Sequence, residues 1–183
     1  MSKIPELLSE RLRLRGWRPS DVEALRRIYG DPQTMRFIGD GSTMPPDRAW
    51  HAVAALLGHW ELRGYGMWAV TERSTGEVLG RVGLYHPEGW PGIELGWLLD
   101  RSRWGEGLAT EAARLAAAWA WETLELDRLI HLIQPDNLAS VRIAQKLGAS
   151  LDHRLNLDGV DVDVYALARP TASPAATKRG PSR

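Results

Sequence analysis

The chain has 183 residues, of which 44% are hydrophobic and 25% are charged, and its 23 basic residues balance 23 acidic ones. This composition is typical of a globular domain, so extensive disorder and a basic protein that coats nucleic acid are both disfavoured. Because there is no cysteine, disulfides, thiolate nucleophiles and cysteine-ligated metals are excluded. We therefore expect a cytoplasmic protein without a nucleic-acid partner, since a chain without cysteine fits a reducing compartment.

We expect neither a membrane segment nor a metal site. The longest apolar run, Leu115–Trp121, is far shorter than the roughly 20 residues that a membrane helix needs. The opening decapeptide MSKIPELLSE lacks the apolar core of a signal peptide. The five histidines have no metal-ligand spacing, so a structural or surface role is expected for them.

The first half of the chain predicts one strand, two helices and then three strands. Residues 11–17 alternate as a strand does, and Ser20 and Asp21 are N-caps for a helix that ends near Tyr29. A Gly-Asp-Pro stop and a loop over 39–46 precede a second helix, which runs to about Leu62. The predicted strands follow over the ranges 67–72, 77–85 and 92–99.

The second half alternates between helices and strands. Helices are predicted over 106–123 and 137–147, with a strand over 126–134 between them and strands over 150–157 and 160–167 after them. Asp158-Gly159 between the last two strands is a type I′ hairpin signal. The order β-α-α-β-β-β-α-β-α-β-β predicts one mixed α/β domain over residues 1–169. The proline-rich segment 170–183 is expected to be a disordered tail.

The segment from Gly92 to Ala113 carries the clearest chemical signal. A strand runs through a short loop into a helix that opens with Gly105-Glu106-Gly107. Free backbone N–H groups and the positive end of the helix dipole at that point form a site suited to a pyrophosphate. Alone, two glycines before a helix are more often a plain turn. The segment is neither a Walker loop nor a dinucleotide-binding fingerprint.

Several motifs occur together with this loop, in order along the chain. They are ELGWLL at 94–99, WGEGLATEA at 104–112, the later set Asn137, Ser140, Lys146 and Gly148, and the opening SERLRLR at 9–15. With these motifs the chain resembles the GNAT family of acyl-CoA-dependent N-acyltransferases, over about residues 7–168. The nearest branch acetylates the N-termini of ribosomal proteins at alanine or serine. One departure is Trp104, which stands where many members have Gln or Arg; the adjacent Arg103 could compensate.

The resemblance implies a fold, a cosubstrate and a set of cofactor-binding residues. The fold is a twisted mixed sheet of about seven strands with about four helices, and the cosubstrate is acetyl-CoA, with no metal. The pantetheine arm would pair with backbone at Leu98 and Leu99, between strands that diverge. The pyrophosphate would lie at Trp104 and on the amides of Gly105, Glu106, Gly107, Leu108, Ala109 and Thr110.

Four further residues are expected near acetyl-CoA. Asn137 is a natural N-cap that would also hold its helix against the pantetheine arm. Arg103, Arg142 and Lys146 could meet the 3′-phosphate. For Arg142 and Lys146, a solvated surface charge is an equally good interpretation.

The resemblance also implies catalytic roles for Glu94 and Ser140. Glu94 would act as general base toward the amine, directly or through water, although a solvent-facing carboxylate is the alternative. Ser140 would hydrogen-bond the CoA sulfur and protonate the thiolate, although a residue that only stabilises the helix start is the alternative. Tyr165 is a second candidate for the proton donor. Three aromatic residues are candidates to bind the acceptor together with Glu94, although ordinary core packing is the alternative for most of them: Phe37, Trp68 and Trp90.

The function that follows is acetyl transfer from acetyl-CoA to a primary amine, by direct attack without a covalent enzyme intermediate. A protein or peptide N-terminal α-amino group is the preferred acceptor. Alternatives are a small amine, such as an antibiotic or a polyamine, or a non-catalytic module that binds acyl-CoA. Related enzymes often pair through terminal strands or helices, which makes a homodimer a further expectation.

Overall fold

A computed structural model describes residues 4–171 of the chain. The predicted tail from residue 172 onward therefore lies outside the described residues. Eight strands form one sheet: β1 (Leu7–Leu8), β2 (Leu12–Arg15), β3 (Met67–Glu72), β4 (Val78–Tyr85), β5 (Glu94–Leu99), β6 (Arg128–Ile133), β7 (Ser150–Leu157) and β8 (Val160–Ala168). Five α-helices accompany them: α1 (Val22–Tyr29), α2 (Pro32–Met35), α3 (Arg48–Arg63), α4 (Leu108–Thr123) and α5 (Leu138–Leu147).

The strand order across the sheet is β1-β2-β3-β4-β5-β6-β8-β7. Neighbouring strands are antiparallel except for β5 and β6, which are parallel because α4 connects them. This architecture confirms the predicted mixed α/β fold. None of the helices within residues 4–171 is long and apolar enough to cross a membrane.

Two apolar clusters cover opposite faces of the sheet. One cluster joins α4 to β2, β4 and β5 through residues such as Leu95, Ala113 and Ala116. The other joins α1 and α3 to the reverse face through residues such as Leu25 and Leu98. Since side chains alternate along a strand, β4 and β5 present different residues to the two faces. Each face of the central strands can therefore carry a different ligand.

The structure adds two short elements to those predicted. Strand β1 has two residues, too few for an alternating pattern, and it forms because Leu7 and Leu8 pair with β2. Helix α2 begins at Pro32, within the predicted stop signal. Proline is tolerated in a first helical turn, and the Asp31 side chain accepts hydrogen bonds from Gln33 N at 3.3 Å and Thr34 Oγ1 at 2.7 Å. The Gly-Asp-Pro segment therefore ends α1 at Tyr29, as predicted, and also begins α2.

Candidate functional site

Strands β5 and β6 pair at only one position and then diverge. Glu94 lies opposite Ile130, and Ile130 N donates to Ile93 O at 3.0 Å. Beyond this pair no further backbone ladder joins the two strands within the described chain. The divergence leaves an unpaired edge of β5 in the middle of the sheet, where an extended ligand could add as a strand does.

Two side chains occupy the point of divergence. His131 Nδ1 lies 2.7 Å from Leu95 O, so the ring nitrogen carries the proton and donates it to the carbonyl. The backbone N–H of Leu132 faces the Glu94 carboxyl and lowers its pKa. The His131 side chain thus takes the Leu95 carbonyl, which in a continued parallel ladder would accept from the backbone of β6.

The Glu94 carboxylate has a strongly altered acidity. Burial raises its pKa to about 7, against the opposing effects of a hydrogen bond from Trp90, the charge of Arg81 and the bond from Leu132. Trp90 Nε1 donates to Glu94 Oε2 at 2.9 Å. A carboxylate with a pKa near neutrality can accept a proton from an ammonium group at physiological pH. The side chain is half-buried and its carboxylate is bound by Trp90; its role as the base stays a prediction.

His131 remains neutral at physiological pH, because burial lowers its pKa to about 4. Its Nε2 is a buried acceptor without a partner among the described residues. The ring packs beside Trp97, with centroids 5.0 Å apart. His131 is therefore a fixed, uncharged part of the site, and it does not compete with Glu94 for protons.

Ser140 lies in the first turn of α5, on the other side of the diverging strands. Asn137 caps that helix: its side chain accepts from Ser140 N at 3.2 Å, as predicted for an N-cap. Trp97 Nε1 donates to Ser140 Oγ at 3.2 Å. Because an indole N–H can only donate, the serine oxygen is the acceptor, and its own O–H remains available for another acceptor.

A cavity of about 540 Å³ joins these two sides. Glu94, Phe37 and Trp90 line it, as do Ser140 and Asn137. The cavity runs through the gap between β5 and β6, so a carboxylate and a hydroxyl approach it from opposite faces of the sheet. Tyr165, the alternative proton donor, is not part of the lining.

The expectation that Trp68 lines this cavity is wrong. Its side chain is 0% exposed and packs against Trp60 and Trp119, with ring centroids 4.8 and 5.1 Å away. The reason is strand alternation: Trp68 points to the α4 face of β3, whereas its neighbour Met67 points to the cavity. The sequence identified the right strand but the wrong face.

The loop before α4 has the open backbone that an anion needs. Gly105 and Gly107 adopt φ values of +84° and +79°, and nothing lies within 4 Å of a Cβ placed on Gly105. The first ladder bond is Glu111 N to Gly107 O, so the N–H groups of Leu108, Ala109 and Thr110 have no acceptor inside the helix. The local structure therefore fits a pyrophosphate.

The strand register corrects the backbone groups predicted to face the gap. Asp100 N donates to Leu79 O, and in an antiparallel ladder every second residue then bonds to the partner strand. By this alternation the backbone N–H and C=O of Leu98 bond to β4, opposite Arg81, whereas those of Trp97 and Leu99 point toward β6. The Leu99 carbonyl already accepts from Trp104 Nε1 at 2.9 Å. Leu98 therefore does not face the gap, and Trp97 does.

The three predicted phosphate-binding cations have different surroundings. Arg103 donates to Glu72 at 2.9 Å and to Glu106 at 3.0 Å. The two carboxylates balance its positive charge, and their hydrogen bonds raise its pKa. Arg142 is exposed on α5 and lines none of the hollows beside α4. Lys146 lines a hollow beside the start of α4.

Several residues that line the site were not singled out from the sequence. Arg114 shares the Lys146 hollow, one turn after Thr110, and its guanidinium donates to Lys146 O at 3.2 Å. Its i, i+4 spacing from Thr110 was a usable signal. No local signal marks Arg81, Tyr85 or His131, because strand pairing alone brings them together. Within residues 4–171 no group of three His, Asp or Glu side chains could hold a metal.

Comparisons with known proteins agree with this geometry. A family model described as an acetyltransferase (GNAT) domain matches residues 11–150. A crystal structure of an acetyltransferase from Agrobacterium tumefaciens str. C58 has a TM-score of 0.81 and 33% identity, over 92% of this chain and 97% of that one. The uncharacterized protein YkkB of Bacillus subtilis is 30% identical over 90% of this chain and 96% of its own.

A third similar protein is RimL, a ribosomal L7/L12 alpha-N-protein acetyltransferase solved in complex with coenzyme A. It has a TM-score of 0.76 and 20% identity, over 90% of this chain and 98% of that one. At this identity the likeness shows the fold alone. The family model, by contrast, covers most of the chain and includes the loop before α4 and the start of α5. The chain belongs to the GNAT acetyltransferase family and is an acyl-CoA-dependent enzyme.

Proposed function

We propose that this enzyme transfers an acetyl group from acetyl-CoA to the N-terminal α-amino group of a protein or peptide. The observation that carries the proposal is the single cavity between β5 and β6, with Glu94 on the α3 face and the Ser140 hydroxyl on the α5 face. Amide formation needs a base on the side of the amine and a hydrogen-bond donor on the side of the leaving sulfur. The position of Glu94 and Ser140 on opposite sides of one cavity supports these two roles.

The loop before α4, together with Lys146 and Arg114, would hold the phosphates of acetyl-CoA. The free amides after Gly105 suit the pyrophosphate. Three cations line the adjacent hollow; Arg11 is paired with Glu111, and the other two suit the 3′-phosphate. Arg103 is left out of this set because two carboxylates already bind it. The backbone of Trp97 faces the gap where an extended pantetheine arm would add.

Acetyl-CoA supplies the acetyl thioester, whose C–S bond breaks as the amine nitrogen forms the new C–N bond. Glu94 accepts the proton that the amine loses. Ser140 donates its free O–H to the departing sulfur, and solvent restores that proton. Trp90 keeps the Glu94 carboxylate oriented, and Trp97 keeps the Ser140 oxygen oriented. No residue of the chain forms a covalent intermediate in this scheme.

The acceptor preference for a protein N-terminus rests on the motifs shared with the ribosomal-protein branch and on an open cavity mouth. Phe37 and Asp40 on one loop and Asp158 on the β7–β8 turn border it. A chain end could enter between these loops while the rest of the acceptor stays outside.

Thermal unfolding with acetyl-CoA is the first test, with adenosine 3′,5′-bisphosphate as the control. At about 100 times Kd a ligand adds roughly 2.7 kcal/mol of stability, which corresponds to several degrees in a domain of this size. A shift with acetyl-CoA that far exceeds the shift with the control supports the donor site. No shift at millimolar acetyl-CoA contradicts it.

The second test is acceptor-dependent release of CoA from acetyl-CoA. The chain has no cysteine, so a thiol reagent detects CoA without background from the enzyme. Peptides that begin with alanine or serine should release CoA, and their N-acetylated forms should not. Tight binding of acetyl-CoA without turnover on any amine would instead indicate a module that only binds acyl-CoA.

A further inference from the structure

Arg81 is a charged group in the cavity that the proposed chemistry does not use. It lies on β4, lines the same cavity as Glu94, and is half-buried. Its Nε is buried without any hydrogen-bond partner among the described residues. Its Nη1 contacts only the sulfur of Met67, which is a weak acceptor.

This situation is unusual within the molecule itself. Arg15, which is also buried, binds both oxygens of Asp21, at 2.7 and 2.9 Å. Arg103 binds Glu72 and Glu106. Among residues 4–171, no carboxylate forms an ion pair with Arg81. A buried guanidinium donor without an acceptor costs free energy, which a bound anion would recover.

The strand register places Arg81 and Glu94 at the two ends of one hollow. On the cavity face of β4 and β5 the successive pairs are Tyr85 with Glu94, Gly83 with Gly96, and Arg81 with Leu98. The middle pair has no side chains, so nothing from these two strands separates the base from the guanidinium.

Met67 partly occupies the space above this glycine pair. A Cβ on Gly96 would lie 2.9 Å from Met67 Cε and 3.4 Å from Glu94 Oε1. The Met67 side chain thus covers Gly96, and its sulfur reaches Arg81. Met67 is buried in the cluster on the α3 face, but its thioether is flexible, so a ligand that binds Arg81 can turn the sulfur away by a change of rotamer.

Resting on the proposed acetyl transfer, we propose that the preferred acceptor carries a carboxylate close to its reactive amine, and that Arg81 binds this carboxylate while Glu94 receives the amine; a peptide without that carboxylate remains an acceptor at a lower rate. A guanidinium can bind a carboxylate through two parallel hydrogen bonds, which would give the orphaned Nε its acceptor. The carboxylate is either the α-carboxylate of a free amino acid or the acidic side chain at the start of a peptide. Asp40 and Asp158, the acidic residues at the cavity mouth, are exposed and screened by solvent.

Two matched pairs of acceptors test this proposal through CoA release. The first pair is an amino acid with a free α-carboxylate and the same compound as its α-amide. The second is a C-terminally amidated peptide that begins with aspartate and an otherwise identical one that begins with asparagine. We expect kcat/KM to favour the carboxylate in at least one pair by about tenfold or more, the factor of one charge-assisted hydrogen bond. The pair that responds identifies the source of the carboxylate.

The variant Arg81→Gln should reduce this preference to about one, and Arg81→Lys should retain part of it, because lysine keeps the charge but not the two parallel donors. The control is Arg128→Gln, which removes the same charge from an exposed arginine outside the cavity. That control should keep the full preference.

Three results would overturn the inference. Equal kcat/KM values for both members of both pairs would leave the proposed acetyl transfer intact and show that the enzyme does not select for a carboxylate. An equal loss on both members in Arg81→Gln, with a displaced pH profile, would mean that Arg81 acts only on Glu94. Absence of amine-dependent CoA release with every amine tested would end the proposed function and this inference together.

Discussion

The two faces of the sheet near β5 offer different groups to a ligand. On the α4 side, the features that fit the cosubstrate are mostly backbone: the amides after Gly105 and the open edge of β5 at Trp97. On the α3 side, side chains from distant strands and loops meet: Phe37, Arg81, Trp90 and Glu94. A backbone site depends on a short glycine motif, whereas a side-chain site can change one residue at a time. A change of acceptor can therefore come from single side-chain substitutions on the α3 side, whereas the site on the α4 side depends on its glycines.

Removing the base should have the largest effect on the rate. The change Glu94→Gln keeps the shape and the bond from Trp90 but removes the proton acceptor, so kcat should fall by about 10²- to 10⁴-fold. Acetyl-CoA affinity, measured by thermal shift, should remain. A rate within threefold of wild type would remove Glu94 from the chemistry.

The same residue predicts a pH dependence. Because burial raises the Glu94 pKa to about 7, kcat/KM should rise through pH 7 as the carboxylate ionises. The free energy of unfolding should change in the opposite direction. Because the folded state holds this proton more tightly than the unfolded chain, the protonated carboxyl stabilises the fold at acid pH, and this stabilisation is lost as pH rises through about 7. Melting temperatures of wild type and Glu94→Gln between pH 5 and 8 would check the sign.

Removing the hydroxyl on the sulfur side should have a smaller effect. We expect Ser140→Ala to lower kcat roughly tenfold, less than for the base, because a thiolate with a pKa near 8.5 leaves without much help. Tyr165→Phe is the matched control, since it also removes one hydroxyl but lies outside the cavity lining. If Tyr165→Phe lost more activity than Ser140→Ala, the two roles would be exchanged.

The backbone site can be tested with a pair of glycines in the same conformation. Gly107 and Gly76 have φ values of +79° and +78°, and neither would place a Cβ within 3.4 Å of another atom. Alanine at either position should cost about 1–2 kcal/mol of stability through backbone strain. Only Gly107→Ala should weaken acetyl-CoA binding as well, by roughly tenfold, since its Cβ would meet a charged ligand rather than solvent. Equal Kd values would contradict the phosphate assignment.

The smallest expected effect separates a cavity tryptophan from a core tryptophan. Trp90→Phe removes a hydrogen bond that lowers the Glu94 pKa, so the acid limb of the pH profile should move to higher pH by less than about one unit. Trp68→Phe removes a core indole that donates to Pro5 O at 2.8 Å, so it should lower the melting temperature without moving the limb. A shift of the acid limb of the pH profile in Trp68→Phe would contradict the assignment of Trp68 to the core and of Trp90 to the cavity.

The sequence determined the fold class and the open loop before α4, because both depend on local patterns. Strand alternation, helix caps and the glycines at 105 and 107 act over a few residues, and these were predicted correctly. The catalytic pair Glu94 and Ser140 came from motif resemblance, and its chemical roles stay predictions.

Only the tertiary structure decided which residues form the acceptor side. Trp68 was assigned to the wrong face of β3, because alternation fixes which residues share a face but not which face meets the cavity. Leu98 was placed at the gap for the same reason: the β4–β5 register, set by pairing over the whole strand, turns its backbone away. Arg81 lies thirteen residues before Glu94 in the chain, yet strand pairing and two opposed glycines join both side chains to one hollow. Such a juxtaposition is a property of long-range contacts, and no local pattern in the chain contains it.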